Sequence, residues 1–218
     1  SLFNTNIVGN NEGAASGLFA STGKDSTGGG GNLNVKTGQL IVRDGAKVTV
    51  SADGQGAAGN LRIAADSIRL NNGTITATTQ AGNFGNITLK TGNLQMRHNS
   101  QITTNASGTA TGGNINIEAG AVAALENSDI RANAIRGQGG NIVINAQGIF
   151  RSFDSDIDAS SELGIDGNVE LRTPDINPVQ GLNLPVTPGV PPQPTQECQN
   201  SGRRASRFVI TGRGGLPP

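Results

Sequence analysis

The feature that most constrains the fold is a repeat in which Gly-Asn is followed by an apolar-x-apolar triplet. Six copies occur, and their asparagines are Asn32, Asn60, Asn86, Asn114, Asn141 and Asn168. The intervals between successive copies are 28, 26, 28, 27 and 27 residues. Self-similarity at such a period is the signature of an architecture in which each unit stacks on the one before it.

Each repeat has room for three short strands. A second apolar residue follows the Gly by nine positions, at Leu40, Ile68, Leu94, Val122 and Ile149, and a third apolar position falls at Val48, Ile75, Ile102, Ile130 and Ile157. The apolar residues lie two apart within each strand, as in a sheet with one buried face, and no segment has a sustained helical periodicity. The sequence therefore predicts an all-β, right-handed parallel β-helix with three strands per coil of about 27 residues.

Two columns of residues are predicted to stabilise the coils. The six repeat asparagines should stack into a ladder whose amides bond to one another and to turn backbone, a structural role rather than a ligand-binding one. Removal of an internal member, as in Asn114→Ala, is expected to cost about 1–3 kcal/mol. The second column predicts a left-handed corner after the second strand and comprises Gly45, Gly73, Asn99, Asn127 and Asp154.

The composition changes sharply near the C-terminus. All nine prolines lie at or beyond Pro174, and proline cannot donate the N–H groups that a stacked strand requires. We expect four segments: an irregular first coil in 1–30, β-helix repeats in 31–173, a Pro-rich linker or strap in 174–196, and a tail with a short strand in 197–218. Within 1–30, the sequence around Leu18 is expected to belong to an earlier, less regular coil.

Charge is balanced overall but unevenly placed. Sixteen basic and sixteen acidic residues give a net charge of zero, which disfavours nucleic acid as a partner. Residues 154–175 carry seven acids and one base, whereas 197–218 carry four arginines and one acid. The tail is therefore predicted to fold over the last coil, or over a neighbouring molecule, and to pair with an open strand edge through Arg207, Phe208, Val209 and Ile210.

Membrane, disulfide and zinc sites are not expected. No apolar stretch approaches the roughly 20 residues needed to span a bilayer, and the first residues lack the pattern of a signal peptide. A soluble chain, mature or excised from a longer one, is the expectation. The single cysteine, Cys198, excludes an internal disulfide and a multi-cysteine zinc site.

Catalytic chemistry has few candidate residues in this sequence. Asp154, Asp156 and Asp158 are predicted to share the outward face of one strand, where they could hold a cation or, as we favour, form a solvated acidic strand. His98 is predicted to lie at a surface corner beside unrelated residues. No catalytic residue, metal ligand or cofactor site is therefore predicted, and a carbohydrate-active β-helix is kept as the alternative function.

The repeat and the C-terminus resemble a known family. Two consecutive repeats read GNLRIAADSIRLNNGTITATT and GNITLKTGNLQMRHNSQITT. They resemble the passenger region of filamentous-haemagglutinin-like large exoproteins, which are exported by two-partner secretion. The C-terminal part contains TPDINPVQGLNLP, then a Cys, and then RFVITGRGGLPP. This series is similar to the C-terminal signature of the cyanobacterial members. The resemblance implies a right-handed β-helix, export through an outer-membrane barrel transporter, and adhesion or layer formation at the cell surface.

The same resemblance implies that this chain is the C-terminal portion of a longer precursor, because the family's N-terminal secretion domain is absent from it. The expected function is that of a secreted or cell-surface structural or adhesive rod, not an enzyme. Its expected partners are further copies stacked head-to-tail, or components of the cell surface and extracellular matrix.

Overall fold

A computed structural model describes residues 4–9, 16–80 and 85–174. The described residues form thirteen strands and no helix. The strands are β1 (Asn4–Val8), β2 (Gly17–Phe19), β3 (Leu33–Arg43), β4 (Lys47–Thr49), β5 (Leu61–Asn71), β6 (Thr74–Thr76), β7 (Ile87–Arg97), β8 (Gln101–Thr103), β9 (Ile115–Ala124), β10 (Asp129–Arg131), β11 (Asn141–Arg151), β12 (Ile157–Asp158) and β13 (Asn168–Arg172). The predicted tail strand at Arg207–Ile210 and Cys198 lie outside the described residues, as does all but the first residue of the Pro-rich segment.

The strands belong to two sheets in which every pairing is parallel. The seven-stranded sheet has the order β1-β3-β5-β7-β9-β11-β13, and the six-stranded sheet has the order β2-β4-β6-β8-β10-β12. Strands adjacent in a sheet are thus two apart in the chain, as a coil that alternates between two sheets requires. The predicted parallel β-solenoid is confirmed, while the right-handed sense of the coil remains a prediction.

The strand register reproduces the period of the sequence. Leu33 pairs with Leu61, Leu61 with Ile87, and Ile87 with Ile115. The repeat therefore sets the register directly: each apolar position lies over its equivalent in the previous coil, and a one-residue slip would turn the apolar side chains outward.

The first two predicted strands of each coil form one long strand with a bend. In β5, Ile63 and Ala65 face inward before the bend, and Ile68 and Leu70 face inward after it. Two outward residues, Asp66 and Ser67, separate these pairs. Asp66 is left out of the residue pairing with both neighbouring strands. The skip recurs at Gly38, Gly92 and Gly120, so the bend stacks into a continuous corner.

The core is a thin set of apolar columns that run through the stack. Leu40, Ile68, Leu94 and Val122 form one such column, and each is at most 1% exposed. The third predicted strand of each coil adds the column of Val48, Ile75, Ile102 and Ile130, all fully buried. These columns exclude water from between the sheets and supply the main stabilisation of the fold.

Strands also occur before the first Gly-Asn repeat. Leu18 in β2 pairs with Val48, and Asn4 in β1 pairs with Gln39. Asn4 and Gln39 are farther apart in the sequence than the 28 residues that separate paired residues of β3 and β5. This longer interval agrees with the poor match of the first segment to the repeat.

Candidate functional site

The repeat asparagines are joined from coil to coil by hydrogen bonds. The Oδ1 atom of Asn32 accepts from the backbone N–H of Asn60 at 2.8 Å, and that of Asn86 accepts from Asn114 at 2.9 Å. Asn114 Oδ1 accepts both the backbone N–H of Asn141 at 2.9 Å and its Nδ2 at 3.2 Å. Four of the amides, those of Asn32, Asn60, Asn86 and Asn114, thus supply an acceptor to the start of the next strand. Among the described residues no such bond joins Asn141 to Asn168.

This ladder is more accessible to water than the sequence suggested. Asn60, Asn86 and Asn114 are half-buried, and Asn32 and Asn141 are exposed. Water can replace a lost partner at such positions, so Asn114→Ala should cost about 1 kcal/mol, at the low end of the expected range. An unchanged urea midpoint would show that the ladder adds no stability. Asn168→Ala serves as the control, because Asn168 is exposed and its side chain bonds no other repeat asparagine among the described residues.

In every repeat after the first, the glycine before the asparagine is required by close packing between coils. A Cβ atom on Gly113 would lie 1.8 Å from the carbonyl oxygen of Gly85, and one on Gly140 would lie 2.0 Å from that of Gly113. These contacts are far shorter than van der Waals distances. The Gly-Asn pair therefore combines a backbone approach that only glycine permits with an amide that bridges the coils.

A second ladder, built from serine, was missed in the sequence. Ser100, Ser128 and Ser155 are fully buried. Ser100 Oγ accepts the N–H of Gly73 at 3.3 Å, Ser128 Oγ that of Ser100 at 3.2 Å, and Ser155 Oγ that of Ser128 at 2.9 Å. The serines recur at the period of the repeat, and this spacing could have revealed the ladder. The same position holds Ala46 and Gly73 in two earlier coils, which obscures the pattern.

The left-handed corner begins one residue earlier than predicted. Asp44, Asn72, His98 and Glu126 all have positive φ, between 53° and 58°. Of the predicted column, Gly45, Asn99 and Asn127 also have positive φ, whereas Gly73 and Asp154 do not. In the last corner Ser155 N–H donates to Ser152 O at 3.2 Å, which closes an ordinary turn instead.

The corner gathers a cluster of polar side chains around Glu126. His98 Nε2 lies 3.0 Å from Glu126 Oε2, and His98 Nδ1 lies 2.8 Å from Asn71 Oδ1. Arg97 donates to both carboxylate oxygens of Glu126. His98 therefore has specific partners, contrary to the expectation of unrelated neighbours.

The charges in this cluster compensate one another. Hydrogen bonding by Arg97 holds the pKa of Glu126 below its ordinary value of 4.5, so the carboxylate remains ionised. A carboxylate held by an arginine is a poor general base. The arrangement links two adjacent coils at the surface.

The three aspartates of residues 154–158 do not share one strand face. Only Asp158 lies in β12, and Asp154 lies in the preceding turn. Asp156 lies 3.5 Å from Arg151 and 3.8 Å from Arg131, while Asp158 accepts from Asn133 Nδ2 at 2.7 Å. Since the turn redirects Asp154, the carboxylates bind separate partners, and no group of three His, Cys, Asp or Glu that could hold a metal ion occurs among the described residues.

Two grooves run along the outside of the stack. The bend groove, about 670 Å³, follows the bend in the long strands and is lined by Lys36, Thr37, residues 64–66 and 90–92, Glu118, Ala119 and Asn145. Its Lys90 and Glu118 form an ion pair at 3.4 Å. The polar groove, about 500 Å³, lies just beyond the C-terminal ends of the third strands. It is lined by Asp53, residues 78–80, 105–107 and 133–135, Ser160 and Glu162.

The chain matches no family model, no curated protein and no solved structure. The described residues contain no helix with the length and apolar character needed to cross a membrane. The regular coils, their two ladders and the two lateral grooves are therefore the basis for assigning a function.

Proposed function

We propose that this protein is a secreted or cell-surface structural rod that acts in adhesion, and that it is not an enzyme. The observation that carries the proposal is the unbroken parallel register from β1 to β13. Such a stack is stiff along its axis and repeats its lateral surface at each coil, about every 4.8 Å.

The polar residues with the clearest roles support coil stacking. The Asn ladder, the Ser ladder and the Arg97–Glu126 pair each join one coil to the next. In an enzyme we would expect polar side chains to converge on one cavity instead. This distribution favours a scaffold whose lateral surfaces contact other molecules.

Export by two-partner secretion is the finer part of the proposal and rests on the resemblance of the repeats and of the C-terminal sequence to that family. It implies recognition by an outer-membrane barrel transporter during secretion.

Assembly into filaments through the coil ends is also proposed. In β13, one of the two edge strands of the described sheet, Val169 is 38% exposed and Leu171 is 49% exposed. An apolar strand edge of this kind favours pairing with a further strand. A head-to-tail contact between copies would not close on itself and would therefore propagate.

Electron microscopy of the purified 218-residue chain tests assembly, with a version that ends at Thr173 as the comparison. We expect filaments whose axial repeat is a multiple of the strand spacing. Filaments from the longer chain alone would assign the contact to residues 174–218, whereas short separate rods in both samples would refute assembly and leave adhesion through the lateral surfaces.

Adhesion and catalysis are tested separately. Beads coated with the 218-residue chain should adhere to cell-surface or matrix preparations, and beads coated with an unrelated protein should not. Incubation with acidic polysaccharide should release no product. Product release that disappears in Asp156→Ala would overturn the proposal in favour of a carbohydrate-active enzyme.

A further inference from the structure

The polar groove consists of three aligned columns of residues. Parallel bridges connect Ala52, Thr79, Ala106, Ala134 and Ser161 in successive coils. Of these, Thr79, Ala106 and Ala134 line the groove and are 3%, 4% and 3% exposed. They form a buried floor of small side chains.

The walls of the groove present hydrogen-bonding groups at each coil. On one side of the floor lie Thr78, Asn105, Asn133 and Ser160, and on the other lie Asp53, Gln80, Ser107, Ile135 and Glu162. Asp53 and Glu162 are four coils apart, which corresponds to about 19 Å along the axis. The groove therefore offers hydroxyl, amide and carboxylate groups at a regular spacing over an extended path.

One amide oxygen in this groove lacks a hydrogen-bond partner. Asn133 Nδ2 donates to Asp158, but Asn133 Oδ1 is buried and has no hydrogen-bond partner among the described residues. Buried acceptors are nearly always paired, and an unpaired one is costly. A ligand hydroxyl that reached this oxygen would supply the missing hydrogen bond.

We infer that the polar groove binds an extended neutral polysaccharide along the axis of the solenoid. Sugar hydroxyls both donate and accept, as do the hydroxyl and amide groups of the walls, and the sugars of an extended chain recur along its length as the coils do. The lining includes Asp53 and Glu162 but no lysine or arginine. An anionic polysaccharide would thus meet like charge, and a neutral one would not.

The bend groove is less suited to this ligand. Its Lys90 and Glu118 are paired with each other. Much of its surface is formed by Ala64, Ala65, Gly92 and Ala119, which offer no side-chain hydrogen bonds. The two grooves therefore differ in chemistry as well as in position.

Two glutamines allow a matched test. Gln80 and Gln101 are both exposed, but only Gln80 lines the polar groove. We expect the 218-residue chain to be retarded in native gels that contain hydroxyethylcellulose, xyloglucan or galactomannan, and not in gels that contain polygalacturonate. Gln80→Ala should weaken the interaction about three- to tenfold, the effect of one lost hydrogen bond, and Gln101→Ala should leave it unchanged.

Equal thermal unfolding midpoints for the two variants will show that any difference arises from binding rather than folding. The inference is overturned if none of the neutral polysaccharides retards the chain, if polygalacturonate retards it as strongly, or if both variants bind like the unmodified chain. It rests on the proposed adhesive function, but the two can fail independently. Bead adhesion without polysaccharide binding would refute only the groove assignment, whereas loss of bead adhesion would refute the proposed function.

Discussion

Buried serines should stabilise this molecule more than its repeat asparagines do, because water cannot replace their partners. Ser128 Oγ is the acceptor for the N–H of Ser100, and both residues are fully buried. Ser128→Ala should therefore lower the free energy of unfolding by about 1–3 kcal/mol, measured in urea. Ser26→Ala, at a half-buried position whose hydrogen bonds to Gly28 are open to water, should change it by less than about 0.5 kcal/mol. Equal effects of the two substitutions would contradict a stabilising serine ladder.

Glu126 should make the stability depend on acid pH. Its pKa is lowered in the folded protein, chiefly by the hydrogen bond from Arg97, so its contribution is fully present above its ordinary value of 4.5 and is lost as the pH falls through the lowered pKa. Asp154 and Glu170 shift in the same direction. Between about pH 5 and pH 3, Glu126→Gln should lose less stability than the unmodified chain does. Parallel curves of melting temperature against pH would exclude this role for Glu126.

Where one coil stacks on the coil before it, the start of the long strand tolerates little change. A Cβ on Gly113 would overlap the carbonyl oxygen of Gly85, whereas one on Gly31 would meet nothing closer than 3.6 Å. Gly113→Ala should therefore destabilise the protein by about 3 kcal/mol or prevent folding, since two backbones must separate. Gly31→Ala, the same change at the same repeat position, should be nearly neutral. Similar losses of secondary structure by circular dichroism in both variants would show that crowding between adjacent coils is not the cause.

The elements were predictable where one property recurs in every coil. The apolar columns and the Gly-Asn pairs have such regularity, so the period, the register and the parallel stack follow from the sequence. The corner was predicted one residue late, because glycine is the residue most expected in a left-handed conformation and Gly45 and Gly73 follow directly. The left-handed conformation in fact begins at Asp44 and Asn72. The joining of two strands into one bent strand depends on backbone continuity at Asp66 and its equivalents, which apolar spacing does not report.

The candidate binding surface was not predictable for a related reason. Equivalent positions in the polar groove hold Asp53, Gln80, Ser107, Ile135 and Glu162, a series with no shared residue type. Only the stacked coils bring these side chains into one line. The acidic residues at 154–158 showed the opposite effect: they are close in sequence but diverge because a turn separates Asp154 from β12.

At the scale of the whole molecule, stability should behave as a sum over coils and their interfaces. Each coil contacts mainly the coils on either side, so a complete coil is removable if the two new neighbours match. Deletion of residues 114–140 removes one 27-residue interval and places Asn141 after Gly113, which regenerates the Gly-Asn pair. Ile142 would then lie over Ile87, in the place that Ile115 occupies.

This shortened chain should keep the β-sheet circular dichroism spectrum per residue and still unfold cooperatively, with a lower free energy of unfolding because one interface is lost. A matched deletion of residues 114–127 removes about half a coil and should abolish folding, because every later inward side chain would lose its counterpart in the coil below. If both deletions fold equally well, coil-by-coil register does not hold this molecule together. If neither folds, the stack is a single cooperative unit in which the coils are not interchangeable.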